Sequence, residues 1–309
     1  MGVWNPPVLP AMSGAAATTW GRGEPSPFRR ALDSRTEEDP MNDNAPLLVE
    51  DRGPARWIWF NRPRVHNAQN TEMLEALDDA LKLAGQDPGV RVVVLAGKGR
   101  SFCSGHDLKE ILAHADYARA VESVEGRMQW EQRLFVEPVN RFRELPVPTV
   151  VLAHGHCLAA GLMFVSVADF VYATPDAVFG SPIIPAMSIN DAEVPAFAWA
   201  VGSRRAKQTL WLDQRMDAQT AREVGLVSEV VPADEIEEWI ESVVQSLAAI
   251  PAETLMLSKL SLRQMDDQAG YLAISGFHFL SHSLSHHTTG ALAALAERQQ
   301  RLSGSDESD

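Results

Sequence analysis

Cysteine is almost missing from these 309 residues: Cys103 and Cys157 are the two present. Two thiols cannot build a disulfide framework and fall short of a structural zinc site, which takes about four ligands. They fit a reduced, cytoplasmic protein. Positive charge is also scarce. The 27 Lys+Arg face 41 Asp+Glu, giving a formal net charge of −14, which excludes a basic nucleic-acid-binding surface as the main business of the chain. Uninterrupted membrane-spanning runs are lacking as well. The uncharged stretch from Val147 to Ala168 contains Pro148, His154, Gly155, His156 and Gly161, so it reads as a buried strand, a turn and a helix, and no membrane partner is expected. Neither GxGxxG nor a P-loop occurs in a strand-to-helix context, so no nicotinamide, flavin or nucleotide cofactor is expected.

What is present is an ordinary globular composition, 45% hydrophobic and 22% charged, enough to bury a substantial core. Residues 1–46 hold seven of the nineteen prolines among Gly, Ser and Ala runs. They are expected to form a flexible tail without the signature of a signal or transit peptide, and Met41 is a candidate natural start.

From Leu47 the texture changes. Short β-branched or aromatic runs (47–50, 56–60, 91–97, 149–155 and 169–174) alternate with helical periods at 71–84 and, as one long polar helix, at about 117–145. Continuous apolar runs such as Val92–Leu95 suit a sheet covered on both faces, and the first two runs suit a hairpin. This α/β core is expected to end near residue 230. Helical spacing then governs residues 231–302, with 303–309 as a frayed tail.

Two segments carry candidate chemistry. SFCSGHDL at 101–108 follows a strand and leads into helical sequence; AHGHCLAAGLMF at 153–164 repeats that arrangement. Small residues let backbone approach a ligand, and N–H groups at a helix start favour negative charge. Two such turns aiming one N–H each at a single oxygen would make an oxyanion hole.

Together with NRPRVHNAQN at 61–70, FGSP at 179–182 and AREVGLVSEVVP at 221–232, these motifs resemble the crotonase superfamily, the enoyl-CoA hydratase/isomerase family. The resemblance implies the ClpP/crotonase-like α/β fold of repeated β-β-α units, a helical C-terminal region that packs across subunits, and a homotrimer or dimer of trimers. It also implies an acyl-CoA substrate, with coenzyme A entering only as part of that substrate. The oxyanion-hole N–H groups map onto His106 and Ala160. CoA would lie near Phe102, Ser104, Gly105 and Asp107, with Lys259 approaching its phosphates.

The positions where family hydratases carry two glutamates hold Met163 and Ile183, and neither side chain transfers a proton. Both are expected to line the pocket, with His156. Asp191, where dienoyl-CoA isomerases of the family carry an aspartate, is the first candidate base and Glu193 the second; a solvated turn is the alternative for Asp191. Imidazoles titrate near neutral pH, and among His106, His154 and His156 the motif fixes His106. His278, His282 and His286 recur every four residues. With no carboxylate partner visible, they are expected to form a polar interface stripe and not a metal site. The expected activity is double-bond isomerisation or atypical hydration through an enolate. CoA-thioester or β-diketone hydrolysis and non-catalytic acyl-CoA binding are the alternatives.

Overall fold

The computed structural model describes residues 45–305. The expected N-terminal tail except its last two residues, Ala45 and Pro46, lies outside them, as do Met41 and the last four residues. Six strands form the main sheet: β1 (Leu47–Arg52), β2 (Ala55–Phe60), β3 (Val92–Gly97), β4 (Thr149–Ala153), β6 (Phe170–Ala173) and β9 (Glu229–Val230), ordered β1-β2-β3-β4-β6-β9. The first two are the expected hairpin, antiparallel from Leu47↔Phe60 to Arg52↔Ala55. Every other pair in this sheet is parallel. Three short strands, β5 (His156–Leu158), β7 (Val178–Gly180) and β8 (Met216–Asp217), form a second sheet.

Alternation across the pleat splits the continuous apolar runs into two faces. Ile58, Phe60, Val93 and Leu95 enter the larger core with Met73, Leu77 and Leu81 of the Thr71–Gln86 helix. Trp57, Trp59, Val92 and Val94 face the other way, under Ile236, Ile240 and Val244 of the Ile236–Ala248 helix. Burial on both faces is why these strands lack polar alternation.

The expected long helix at 117–145 is instead broken into helices Ala115–Ala120 and Val124–Glu131, a π-helical turn Gln132–Val136 and helix Glu137–Glu144. Ser123 starts the second piece by accepting from Gly126 N–H. The C-terminal region comprises helices Ile236–Ala248, Ala252–Ala269, Tyr271–Ser285 and Thr289–Ser305, so helix continues two residues past the expected start of fraying. No single helix among the described residues is long and apolar enough to cross a membrane.

Candidate active site

The first glycine turn is tied to residues 61–70. Gln69 pairs with His106 in a parallel bridge, closed by Gln69 N–H to Gly105 C=O at 2.8 Å and Asp107 N–H to Gln69 C=O at 2.8 Å. Those bonds use the two residues flanking His106, so the His106 amide points away from Gln69. The second turn passes through Ala159, at φ +49° and ψ −119°, into the helix Ala160–Val167. As its first residue, Ala160 contributes one of the N–H groups that a helix cannot satisfy internally.

The two turns touch. A methyl group added at Gly105, where φ is +106°, would lie 2.8 Å from Ala159 Cβ and 3.5 Å from Ala160 N. Gly161 is equally constrained, because a Cβ there would lie 2.7 Å from Cys103 Cβ. Glycine at both positions lets the turns close together.

Over them lies a cavity of about 330 Å³ whose wall includes Ser104, His106, Ala159, Ile183 and Glu193. The His106 ring stacks on Phe135 of the π-helical turn at a centroid distance of 3.8 Å. Its Nε2 is 3.5 Å from Glu193 Oε2. The other oxygen, Glu193 Oε1, is 3.6 Å from His282 Nε2. Burial, the largest influence on Glu193, raises its pKa, but His106 and then His282 outweigh it and bring the carboxyl down to about 2.

The loop carrying Glu193 is clamped by the Tyr271–Ser285 helix. His278 Nε2 donates to Ala192 C=O and His282 Nδ1 to Asp191 C=O, both at 2.7 Å, while Asn190 N–H donates to Ser285 Oγ at 2.8 Å. The four-residue histidine spacing thus matches successive carbonyls of one loop.

Asp191 stands differently from Glu193. Its side chain is buried and accepts from Ser181 Oγ at 2.6 Å, and it is not part of the cavity wall. Burial pushes its carboxyl above the usual range, against the Ser181 hydrogen bond. The solvated-turn alternative is therefore replaced by a buried, hydrogen-bonded carboxyl, and of the two candidate bases Glu193 is the one at the cavity wall.

Of the other expected site residues, Ser104 and Ile183 reach the cavity wall. Phe102 is wholly buried against Phe60, and Met163 is buried in the main core. Asp107 pairs with Arg62 at 2.8 Å and caps the Leu108–Ala113 helix. His156 lies beside His66, with ring centroids 5.1 Å apart, away from the cavity wall. Lys259 lines a separate cavity, where its Nζ is 2.6 Å from Asp169 Oδ2 and donates to Val147 C=O at 3.0 Å. Its charge is engaged by that pair, and it is not on the wall of the cavity over the two turns. Cys103 and Cys157 are buried, and burial pushes the Cys103 thiol up to about 12.

The sequence reading missed Glu131, Arg127 and Phe135, all on the cavity wall. Arg127 Nη1 donates to Glu131 Oε1 at 3.1 Å, and both side chains are buried. A charged pair four residues apart on a helix ordinarily reads as a solvated face, which concealed this one.

An enoyl-CoA hydratase/isomerase family model matches residues 55–300. A Mycobacterium tuberculosis protein provisionally named enoyl-CoA hydratase EchA13 is 31% identical over 249 residues, covering 76% of this chain and 78% of that protein. Peroxisomal enoyl-CoA delta isomerase 3 of Mus musculus is 26% identical over 248 residues, 80% of this chain and 74% of the relative. The solved enoyl-CoA hydratase/isomerase from Xanthobacter autotrophicus Py2 superposes with a TM-score of 0.73 at 28% identity, over 83% of this chain and 98% of that one. With the sheet order and the paired turns described above, these matches make the chain a member of the enoyl-CoA hydratase/isomerase family, within the crotonase superfamily.

Proposed function

We propose that this protein isomerises the double bond of an enoyl-CoA thioester, with the His106 and Ala160 N–H groups holding the thioester oxygen and the His106–Glu193 pair carrying the proton. The observation that bears this reading is the position of Glu193: its carboxylate is in the cavity bordered by both turns and 3.5 Å from the His106 ring. A carboxylate held near 2 is a weak base by itself. It acts with the imidazole 3.5 Å away, the two groups carrying one proton between them as a pair.

Removal of the α-proton from a 3-enoyl thioester puts negative charge on the thioester oxygen, where preorganised N–H donors act most strongly. The same proton returned to the γ-carbon gives the 2-enoyl thioester. One proton carrier suffices, whereas hydration needs a second group to activate water, and Ile183 lies at the cavity where that group would act. The delta isomerase relative supports this choice. The chemistry transfers no electrons to a cofactor, so coenzyme A enters only with the substrate.

We place the protein in the reducing cytoplasm on its free thiols, and we infer a homotrimer or dimer of trimers. Leu257, Leu262, Met265 and Phe277 on the C-terminal helices are exposed, which is apolar surface suited to a subunit interface. The functional reading is tested by incubating purified protein with 2-enoyl, 3-enoyl, dienoyl and β-keto CoA esters and resolving the products by mass. Interconversion of 2- and 3-enoyl esters is expected. Release of free CoA would mean hydrolysis instead, and binding without conversion of any ester would mean a non-catalytic acyl-CoA-binding protein.

A further inference from the structure

A second constellation stands on the same cavity and is not used by the proposed proton transfer. Glu131 ends the Val124–Glu131 helix; His282 and His286 lie one turn apart at the end of the Tyr271–Ser285 helix. One ligand atom from each falls within 4.8 Å of the others. His286 Nε2 is 3.2 Å from His282 Nε2, His282 Nε2 is 3.7 Å from Glu131 Oε2, and His286 Nε2 is 3.9 Å from Glu131 Oε1. Tetrahedral zinc with bonds of about 2.0–2.1 Å sets its ligand atoms about 3.3 Å apart. The His282–His286 edge already matches that spacing; the two Glu131 edges end on different carboxylate oxygens, and with one atom from each residue the set, now within 4.8 Å, draws together by up to about 1.5 Å to reach it.

The hydrogen-bonding pattern favours ligation. His282 Nδ1 donates to Asp191 C=O at 2.7 Å, which in the neutral ring leaves Nε2 with a bare lone pair; a backbone carbonyl holding the second nitrogen is the usual support of a metal-bound histidine. Two Nε2 atoms face each other, so they are satisfied either by one shared hydrogen or by one shared cation.

Glu131 supplies the second, independent observation. It is 2% exposed, it lines the cavity, and its Oε2 is buried without a hydrogen-bond partner. Arg127 engages Oε1 at 3.1 Å, leaving Oε2 for another positive partner. Glu193 Oε1, 3.6 Å from His282 Nε2, brings a second carboxylate to the same imidazole.

We propose that Glu131, His282 and His286 form a binding site for one divalent transition-metal ion of the zinc class, with its remaining position open to the cavity. Two imidazoles and a carboxylate select zinc-like ions over magnesium or calcium, which prefer all-oxygen shells. The ion ties the C-terminal helical region to the wall of the acyl cavity. This site stands independently of the isomerase reading, since its occupancy is measured without any acyl-CoA.

The test is titration of chelator-stripped full-length protein with Zn²⁺ by calorimetry, with Co²⁺ absorption as a second probe. One equivalent per chain is expected, together with a higher melting temperature and the intense visible bands of four-coordinate Co²⁺. His286→Gln and Glu131→Gln, which nearly conserve volume, should each weaken binding at least ten-fold, while His287→Ala, at an exposed neighbour, should not. Circular dichroism establishes that each variant is folded. The proposal is overturned if the wild-type protein takes up no stoichiometric Zn²⁺, or if either volume-conserving variant binds it as tightly as the wild type.

Discussion

Glu193 Oε2 lies 3.5 Å from His106 Nε2, and both residues line one cavity, one from the first glycine turn and the other from a loop clamped by the histidine stripe. This one contact joins the group proposed to hold the developing charge to the groups proposed to carry the proton. It also distinguishes Glu193 from Asp191, two residues away in sequence.

Glu193→Gln should therefore reduce kcat for enoyl-CoA isomerisation by about 10²–10⁴, the usual worth of a positioned acid–base group, with the affinity for the CoA ester little changed. Asp191→Asn keeps an acceptor for Ser181 Oγ and should leave kcat within about ten-fold. Steady-state kinetics of the two variants, compared with ester binding by calorimetry, check both expectations. A larger loss in Asp191→Asn than in Glu193→Gln would move the proton to Asp191.

Gly105→Ala tests the turns themselves. Its methyl would stand 2.8 Å from Ala159 Cβ at a φ of +106°, a backbone region costly for alanine. The turns must separate. Loss of one aligned oxyanion donor costs about 10²–10³ in kcat, so a decrease of that size is expected, to be checked alongside circular dichroism.

The two thiols report on the same packing. Cys103 and Cys157 are buried on adjacent bridged segments, and burial raises both thiol pKa values. Native protein should react slowly with a thiol reagent at neutral pH, and denatured protein should release two equivalents at once. Gly161→Ala, which presses a methyl against Cys103, should speed native-state labelling.

The depressed Glu193 pKa has a definite sign in stability. Its folded value, about 2, lies below the ordinary 4.5, so the unfolded chain takes up the proton first as pH falls. The stabilising contribution is complete above pH 4.5 and is lost progressively towards pH 2. Urea unfolding across that window should show the stability difference between wild type and Glu193→Gln shrinking as pH falls.

Much of this arrangement is legible along the chain. The apolar runs at β2, β3 and β4 announce a doubly covered sheet, and the two small-residue turns announce their own close approach, which is written in Gly105 and Gly161. Short strands such as β5 and β7 escape notice because three residues carry too little periodicity. The π-helical turn at 132–136 is invisible in a sequence that reads as continuous helix, yet it sets Phe135 under the His106 ring. Glu131 is hidden for another reason: only the tertiary fold brings it to His282 and His286, 151 and 155 positions later in the chain. Lys259 shows the converse, since a basic residue at a family position is spent here on Asp169.

The most direct measurement is hydrogen exchange during turnover: incubation with a 3-enoyl-CoA ester in deuterated water, followed by mass and NMR analysis of the ester. The account predicts conversion to the 2-enoyl ester with deuterium entering at the α- and γ-carbons, and at least a hundred-fold slower exchange in Glu193→Gln. Tight binding of the ester with no exchange at either carbon in the wild-type protein would contradict it.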